Sequence, residues 1–416
     1  MGFFSITLVY ALILLLGSFS FGYIVTYASP AVPAIQKIMD ISTLEATLFN
    51  AIAALFAIFG ATLATILINI GGKKLTVFAT SLTGAIFWIA LPFMTLKNIW
   101  LGILGRAILG VVTGSFSVVI PLCIHEIAPV EYLGIYGSLS QFGITVGCMT
   151  CYLISDLLDW RQLTYFEAVV CGLFCFLIWI VPLKDQTTTS ENLPKESVFQ
   201  KKYLPRLMIG IGAMYFQQFS GINAILTNLN SLFEKAGLDL STGLASGIAA
   251  SAQVIAVIVG GVLIQKLGRK FVWVLSLVGA AVSITLYGLT LKFPSWPGII
   301  PVITIFLYLL TFGVGLGPIP WFIVPELFPP SVSSAATSTA TVANWLCAFT
   351  VIFSFKYLQE AIGDFMCMIL FMIVCAGGAV FGWFFVGETT APVSEALLST
   401  SGAYESIADK FDDKSF

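Results

Sequence analysis

Charged residues are scarce in this chain. Only 10% of its 416 residues are Asp, Glu, Lys or Arg, whereas 58% are hydrophobic, and the mean hydropathy is +0.99. Soluble domains carry about 25% charged residues, so the composition excludes a soluble globular protein and indicates an integral membrane protein. The net charge of −2, without a large basic cluster, argues against binding to nucleic acid.

The groups that enzymes and metal sites need are also missing. The chain has one histidine, His125, so the CxxC spacing of Cys148 and Cys151 lacks further ligands for zinc. No G-x-x-x-x-G-K-[ST] phosphate loop and no catalytic-triad pattern occurs. We therefore expect no metal, no cofactor and no enzymatic activity.

Apolar windows of about 20 residues, the length that crosses a bilayer core, recur along most of the chain. They predict an all-α membrane protein with twelve transmembrane helices in two six-helix bundles. The predicted spans, 1 to 12, are residues 6–28, 44–69, 74–95, 99–125, 133–155, 164–183, 206–233, 242–266, 271–292, 299–325, 334–357 and 363–387.

The distribution of Lys and Arg predicts the orientation in the membrane. An even number of spans places both termini on one face, and that face carries roughly twice as many loop Lys and Arg as the other. By the positive-inside rule both termini are cytoplasmic. We expect a multi-pass protein of the plasma membrane whose partners include the lipid bilayer, and the oligomeric state stays open.

A charged stretch containing Pro, Ser and Thr divides the chain into two halves. It predicts an N-terminal bundle (1–183), a cytoplasmic linker (184–205), a C-terminal bundle (206–390) and an acidic cytoplasmic tail (391–416). The halves repeat each other, because GGKK follows span 2 and LGRK follows span 8, while EIAP ends span 4 and ELFP ends span 10. Such a repeat is typical of transporters that bind substrate near the midplane between the halves.

Span 7 contains the sequence QQFSGIN, with three carboxamides at Gln217, Gln218 and Asn223. A buried amide without a partner costs roughly 2 to 7 kcal/mol, so these groups must face one another, water or a polar ligand. Hydrogen bonding between helices is the alternative to a ligand site. In a regular helix Gln218 and Asn223 would project about 140° apart, and we therefore expect the helix to open near Gly221.

Two carboxylates at the ends of spans 4 and 10 predict ion pairs. Glu126 and Glu326 lie at helix C-termini, where the helix dipole disfavours negative charge. We expect a basic partner for each, supplied by the basic turns of the same half, and we interpret the pairs as an inner latch. The candidates are Lys73 and Lys74 in the first half and Arg269 and Lys270 in the second.

Seven ordered motifs carry a resemblance to a known family. On these the chain resembles the sugar porter family of the major facilitator superfamily, in particular its glucose facilitators, over nearly its whole length. The resemblance implies a hexose carrier that works by alternating access. The motifs are GR (105–106), PLCIHEIAP (121–129), SQFGITVG (140–147), QQFSGIN (217–223), FEKAG (233–237), LGRK (267–270) and GPIPWFIVPELFP (317–329).

The resemblance also implies roles for individual residues. Neutral amides and an indole suit the hydroxyls and C–H faces of a monosaccharide. The implied substrate-binding residues are Gln141, Gln217, Gln218, Asn223, Gln253, Trp321 and Asn344. The implied gating and charge network comprises Arg106, Glu126, Lys73, Lys74, Arg269, Lys270, Glu326 and Glu388.

Departures from the family pattern bear on coupling. Ile24 stands where proton-coupled members carry Asp, and Glu167 is expected near the outer end of span 6. We therefore expect a uniporter rather than a proton symporter. A transporter-like sugar receptor, a proton-coupled carrier and a polyol carrier are the alternatives.

Overall fold

The computed structural model describes residues 2–129, 133–183, 197–235, 240–293 and 295–387. Over these ranges the chain is helical and contains no β-strand. The linker residues 184–196, Glu388 and the tail lie outside the described residues.

The first half supplies six helices, and a turn at Gly72 (φ 77°) separates the second from the third. The helix α1 is Gly2–Thr26, continued by Ala28–Gln36. The run Thr43–Lys97 contains α2 (43–71) and α3 (73–97). The remaining three are α4 (Ile99–Ile127), α5 (Leu133–Ile154) and α6 (Trp160–Leu177), which a 3-10 turn extends over Ile178–Ile180.

The second half supplies six more helices, two of them interrupted. The helix α7 consists of α7a (Leu204–Phe219) and α7b (Ile222–Lys235). The helix α10 consists of α10a (Ile299–Thr311), a π-helical turn (Phe312–Leu316) and α10b (Ile319–Glu326). The others are α8 (Thr242–Leu267), α9 (Arg269–Lys292), α11 (Pro330–Ile362) and α12 (Asp364–Phe385).

The predicted fold class of twelve helices in two bundles is confirmed. Nine helical runs within the described ranges are long and apolar enough to cross a membrane, and one of them contains both α2 and α3. The apolar part of α5, Ser138–Ile154, is shorter than these nine runs. The two pieces of α7 are too short and too polar to qualify individually, which is the expected result of placing amides and a chain break inside a span.

The predicted start of span 6 at residue 164 was too late. Asp159 caps α6 by accepting hydrogen bonds from the backbone N–H groups of Arg161 and Gln162, and the Gln162 side chain accepts one from the Asp159 N–H in return. This capping box starts the helix at Trp160. Every later residue of α6 therefore lies about one turn further from the start of the helix than the hydropathy pattern alone indicated.

The N-terminal bundle depends on close backbone contacts between α2 and α4. A Cβ atom added at Gly114 would lie 1.9 Å from the carbonyl oxygen of Ala57, and one added at Gly110 would lie 2.3 Å from that of Ala53. Small residues allow this approach, which dispersion forces then stabilise in a bilayer where lipid is as apolar as the helix surface.

The two bundles pack against each other mainly toward one face of the membrane. The face that carries the turn at Gly72 and the end of α4 is called the linker face. The other face, toward which the bundles meet, is called the opposite face. In its half nearer the opposite face, α2 contributes Ala51, Ala54 and Ala57 to a cluster with Trp345, Ala348 and Ile352 of α11. A Cβ atom on Gly247 of α8 would lie 2.3 Å from Leu153 of α5 in the same half.

We expect the substitution Gly114→Ala to destabilise the protein by about 1–3 kcal/mol, because the added methyl group overpacks the contact with Ala57. The matched control is Gly172→Ala in α6, where a Cβ atom meets nothing within 4 Å. There the higher helix propensity of Ala predicts a gain of about 0.5–1 kcal/mol. Thermal unfolding of both variants in detergent tests this, and equal midpoints would contradict the packing assignment.

Candidate substrate-binding site

The helix α7 opens at the position predicted from the amides. Residues 220 and 221 separate α7a from α7b, and Gly221 adopts a φ of +97°, a conformation that side-chain-bearing residues rarely adopt. A Cβ atom at Gly221 would also lie 2.5 Å from the Phe371 ring. The Tyr308 hydroxyl donates to the Ser220 carbonyl at 3.0 Å and holds the interrupted backbone. The predicted opening of the helix is therefore confirmed.

The break brings Asn223 back to the two glutamines. Its Nδ2 donates to Gln218 Oε1 at 2.6 Å. Gln218 Nε2 donates to Asn344 Oδ1 at 3.3 Å, and Asn344 Nδ2 donates to Gln217 Oε1 at 2.7 Å. Gln217, Gln218 and Asn344 are at most 5% exposed. These four residues, the amide network, join α7a, α7b and α11.

The amide network also satisfies the interrupted backbone of α10. Gln217 Nε2 donates to the carbonyl oxygens of Leu316 at 3.1 Å and Gly317 at 2.6 Å. From the other side, Ser276 of α9 accepts a hydrogen bond from the Leu316 N–H at 2.9 Å. Backbone groups that a π-helical turn releases inside a membrane need such partners, so the amides and the irregular part of α10 stabilise each other.

Gln141 and Gln253 face one cavity from opposite bundles. Gln141 and Thr145 of α5 line it together with Gln253 of α8 and Gly313 and Gly317 of α10. Because Gly317 also accepts a hydrogen bond from Gln217, this cavity adjoins the amide network. Trp321 of α10b packs with Met214, Val324 and Ala340 on the linker side of that network. Of the seven predicted substrate-binding residues, four thus form the amide network and two line the adjoining cavity, while Trp321 packs within the second half.

The predicted ion pairs form at the linker face. Lys73 Nζ lies 2.5 Å from Glu126 Oε2, and the two terminal nitrogens of Arg269 bind both carboxylate oxygens of Glu326. Each pair joins helices of the same bundle, α3 with α4 and α9 with α10b. Lys270 Nζ lies 4.8 Å from the centroid of the Trp383 ring, and Lys74 is half-buried next to Lys73. Glu388 lies outside the described residues.

Arg106 is fully buried in α4 without a carboxylate partner among the described residues. Its Nη1 donates to the Ile24 carbonyl at 2.9 Å and its Nε to the Phe49 carbonyl at 3.3 Å. The rings of Tyr27 and Phe49 lie 5.7 and 5.8 Å from its Cζ. Carbonyl dipoles and aromatic faces therefore hold the guanidinium, although neither cancels its charge.

Glu167 lies deeper than predicted. The early start of α6 places it seven residues, about 10 Å, inside the helix, and its side chain is fully buried. The thiol of Cys171 donates to its Oε1 at 3.7 Å, and no Lys or Arg of the described residues lies within ion-pair distance. Sequence analysis placed Glu167 nearer the end of the helix because hydropathy does not register the capping box at Asp159.

Residues 7–184 and again 179–395 match the sequence model of a family described as sugar (and other) transporters. The chain belongs to this sugar transporter family. The transporter is 30% identical over 426 residues to a protein of Bombyx mori named facilitated trehalose transporter Tret1, with 92% of the chain and 84% of that protein covered. It is 28% identical to sugar transporter ERD6-like 7 of Arabidopsis thaliana, with 92% and 91% covered.

Comparison with solved structures agrees on the fold. The transporter matches the inward-open conformation of the xylose transporter XylE from E. coli with a TM-score of 0.79 and 22% identity, covering 96% of the transporter and 99% of that chain. The resemblance to the sugar porter family, inferred from seven motifs, is thereby confirmed. Members of this family are transporters and not enzymes, which confirms the expectation drawn from the absent catalytic motifs.

We expect Gly221→Ala to weaken sugar binding and to lower the unfolding midpoint. The alanine would have to adopt a positive φ, at a cost of about 1–2 kcal/mol, and its methyl group would collide with Phe371. If the backbone relieves this strain by straightening at residue 221, Asn223 moves away from Gln218 and leaves the amide network. The control is Gly261→Ala in α8, which has a helical backbone and nothing within 4 Å. Equal sugar-induced stabilisation of the two variants would contradict a role for the break.

Proposed function

We propose that the transporter carries a glucose-like hexose by facilitated diffusion and alternating access. The amide network is the observation that carries this proposal. Each amide offers one acceptor and two donors, and each sugar hydroxyl both donates and accepts. Hydrogen bonds to a sugar can therefore replace the bonds that the amides make to one another in this structure. Neutral hydrogen bonds of about 0.5–1.5 kcal/mol each support the weak, reversible binding that a carrier needs.

The contacts between bundles support a state that is closed at the opposite face. Asn50 of α2 donates to Asn228 of α7b at 3.3 Å, and Ser29 of α1 bonds both the backbone N–H and the side chain of Asn230. Tyr152 of α5 donates to the carbonyl of Leu226. Because α7b supplies the second-half partner in each case, we infer that bending at Gly221 opens and closes this face.

The ion pairs at the linker face have a separate role in this scheme. Lys73–Glu126 and Arg269–Glu326 each hold helix ends within one bundle, so each bundle can move as a rigid body. We infer that the linker face is cytoplasmic, as the positive-inside rule predicts, and that these charges form the inner latch when the bundles rock toward each other.

Flux into proteoliposomes tests the function directly. We expect labelled glucose to equilibrate without a proton gradient, and the variant Asn344→Ala to lower the initial rate, since an unpartnered amide costs about 1–3 kcal/mol. Asn69→Ala is the control, because Asn69 is exposed near the end of α2. Glucose binding without flux would favour a sugar receptor instead.

The same assay decides between substrates and needs only unlabelled competitors. The relatives named as trehalose transporters make a disaccharide the second candidate, and a polyol is the third. Glucose should displace labelled glucose more effectively than trehalose or sorbitol does. Stronger displacement by trehalose would replace hexose with disaccharide in the proposal.

Glu167 makes proton coupling the specific alternative to a uniporter. It is fully buried and no described cation neutralises it. We expect Glu167→Gln, which preserves shape and polarity, to equilibrate glucose at the wild-type rate, and a protonophore to leave wild-type uptake unchanged. Collapse of wild-type accumulation with a protonophore, combined with insensitivity of the Gln variant, would instead identify Glu167 as the proton carrier.

Asp156 at the end of α5 closes the opposite face in a distinct way. Its carboxylate accepts hydrogen bonds from Ser241 Oγ at 2.5 Å and from the N–H groups of Gly243 at 3.1 Å and Leu244 at 2.7 Å. A residue of one bundle thus caps the N-terminus of α8 in the other.

We expect Asp156→Ala to shift the population toward the state open at the opposite face. Loss of the cap costs about 1 kcal/mol, roughly a fivefold change in the ratio of the two states. Spin labels on the ends of α5 and α8 would report longer distances in the variant. The control is Asp40→Ala, since Asp40 is exposed in the loop between α1 and α2, and an unchanged distance distribution in Asp156→Ala would contradict this role.

A further inference from the structure

A second cavity lies between the bundles beside the amide network. Helices α1, α2 and α4 of the first half and α7b and α11 of the second half line it. Its polar lining residues are Asn50, Arg106, Thr113, Asn223 and Thr227, and Trp345 contributes its indole. Asn223 belongs both to this lining and to the amide network, so the cavity adjoins the proposed sugar site.

Three buried polar atoms on residues of this lining have no hydrogen-bond partner. They are Arg106 Nη2, Trp345 Nε1 and Asn50 Oδ1. Their residues are 0%, 5% and 8% exposed. Nearly all buried polar groups in folded proteins find a partner, so three such atoms on residues of one cavity call for a polar partner there.

The charge of the lining defines the chemistry of that ligand. Arg106 is always protonated, and no described carboxylate pairs with it. Two of the three orphan atoms, Arg106 Nη2 and Trp345 Nε1, are donors. A buried positive charge with spare donors favours an anion, because the anion both neutralises the charge and accepts the hydrogen bonds.

We propose that this cavity binds an anionic group, and that the group is the carboxylate of a sugar acid whose ring occupies the amide network. This rests on the proposed sugar transport. The third orphan, Asn50 Oδ1, is an acceptor, and a sugar acid supplies a hydroxyl hydrogen for it as well as a carboxylate for Arg106. A free halide would satisfy the two donors and leave Asn50 Oδ1 unpartnered.

Competition for labelled-glucose uptake tests the proposal with D-glucuronate and its uncharged methyl ester. In wild-type proteoliposomes glucuronate should inhibit roughly tenfold more strongly than the ester. The variant Arg106→Gln removes the charge but keeps donors, and should abolish that difference between glucuronate and the ester. Trp345→Phe removes one donor and should reduce the difference severalfold. The control is Arg161→Gln, because Arg161 is exposed at the start of α6.

A second measurement keeps the test valid if Arg106→Gln does not fold. Thermal unfolding of the wild-type protein is recorded with three additives: glucuronate, its methyl ester, and sodium bromide. The reference for bromide is the sodium salt of an inert sulfonate at the same concentration. Stabilisation by glucuronate above the ester supports a substrate carboxylate. Stabilisation by bromide alone supports the anion site and assigns it to a free halide. Equal effects of all three would overturn the proposal.

The outcomes also separate this inference from the proposed function. If glucose is carried but glucuronate and its ester compete equally, the anion site is wrong and the sugar site stands. If no sugar is carried, the bromide measurement still decides whether the cavity takes an anion.

Discussion

The hydrogen bonds of the membrane interior govern the architecture of this transporter. Lipid offers no partners for N–H and C=O groups, so each departure from regular helix must be satisfied by a side chain nearby. At the π-helical turn of α10, Gln217 and Ser276 supply those partners. At the break in α7, the Tyr308 hydroxyl does so. Gln217 therefore has two roles: it belongs to the amide network that binds substrate in our proposal, and it satisfies the interrupted backbone of α10.

The division between rigid and movable parts follows from side-chain size. Glycines of α4 let this helix approach the α2 backbone closely, and such contacts tolerate no sliding. Between the bundles, by contrast, the contacts toward the opposite face combine a small alanine cluster with a few hydrogen bonds. A bound sugar shifts the balance between states by the difference between its affinities for them.

Two unpaired ionisable residues distinguish the N-terminal bundle. Arg106 and Glu167 are both fully buried, on α4 and α6, and neither has an oppositely charged partner among the described residues. Arg106 borders a cavity, whereas Glu167 is enclosed by helices and contacts Cys171. Buried charge in a membrane is costly and is usually tied to function. This contrast in surroundings is why we assign ligand recognition to Arg106 and treat Glu167 as the test of proton coupling.

The sequence by itself determined the membrane class, the number of helices and the break in α7. Long apolar windows have few alternatives in a bilayer, and three amides around a glycine cannot all be satisfied by a straight helix. It also narrowed the partners of Glu126 and Glu326 to two candidates each. Only the tertiary structure selected Lys73 and Arg269, because adjacent basic residues differ only in the direction their side chains take from the helix.

The depth of Glu167 and the orphan atoms around Arg106 were likewise decided by the tertiary structure. The first depends on a capping box at Asp159, which starts the helix one turn earlier without altering its hydropathy. The second depends on Asn50, Arg106 and Trp345, which come from three helices far apart in the chain. Whether a buried polar atom has a partner is a property of the packed helices, and no local pattern in the sequence encodes it.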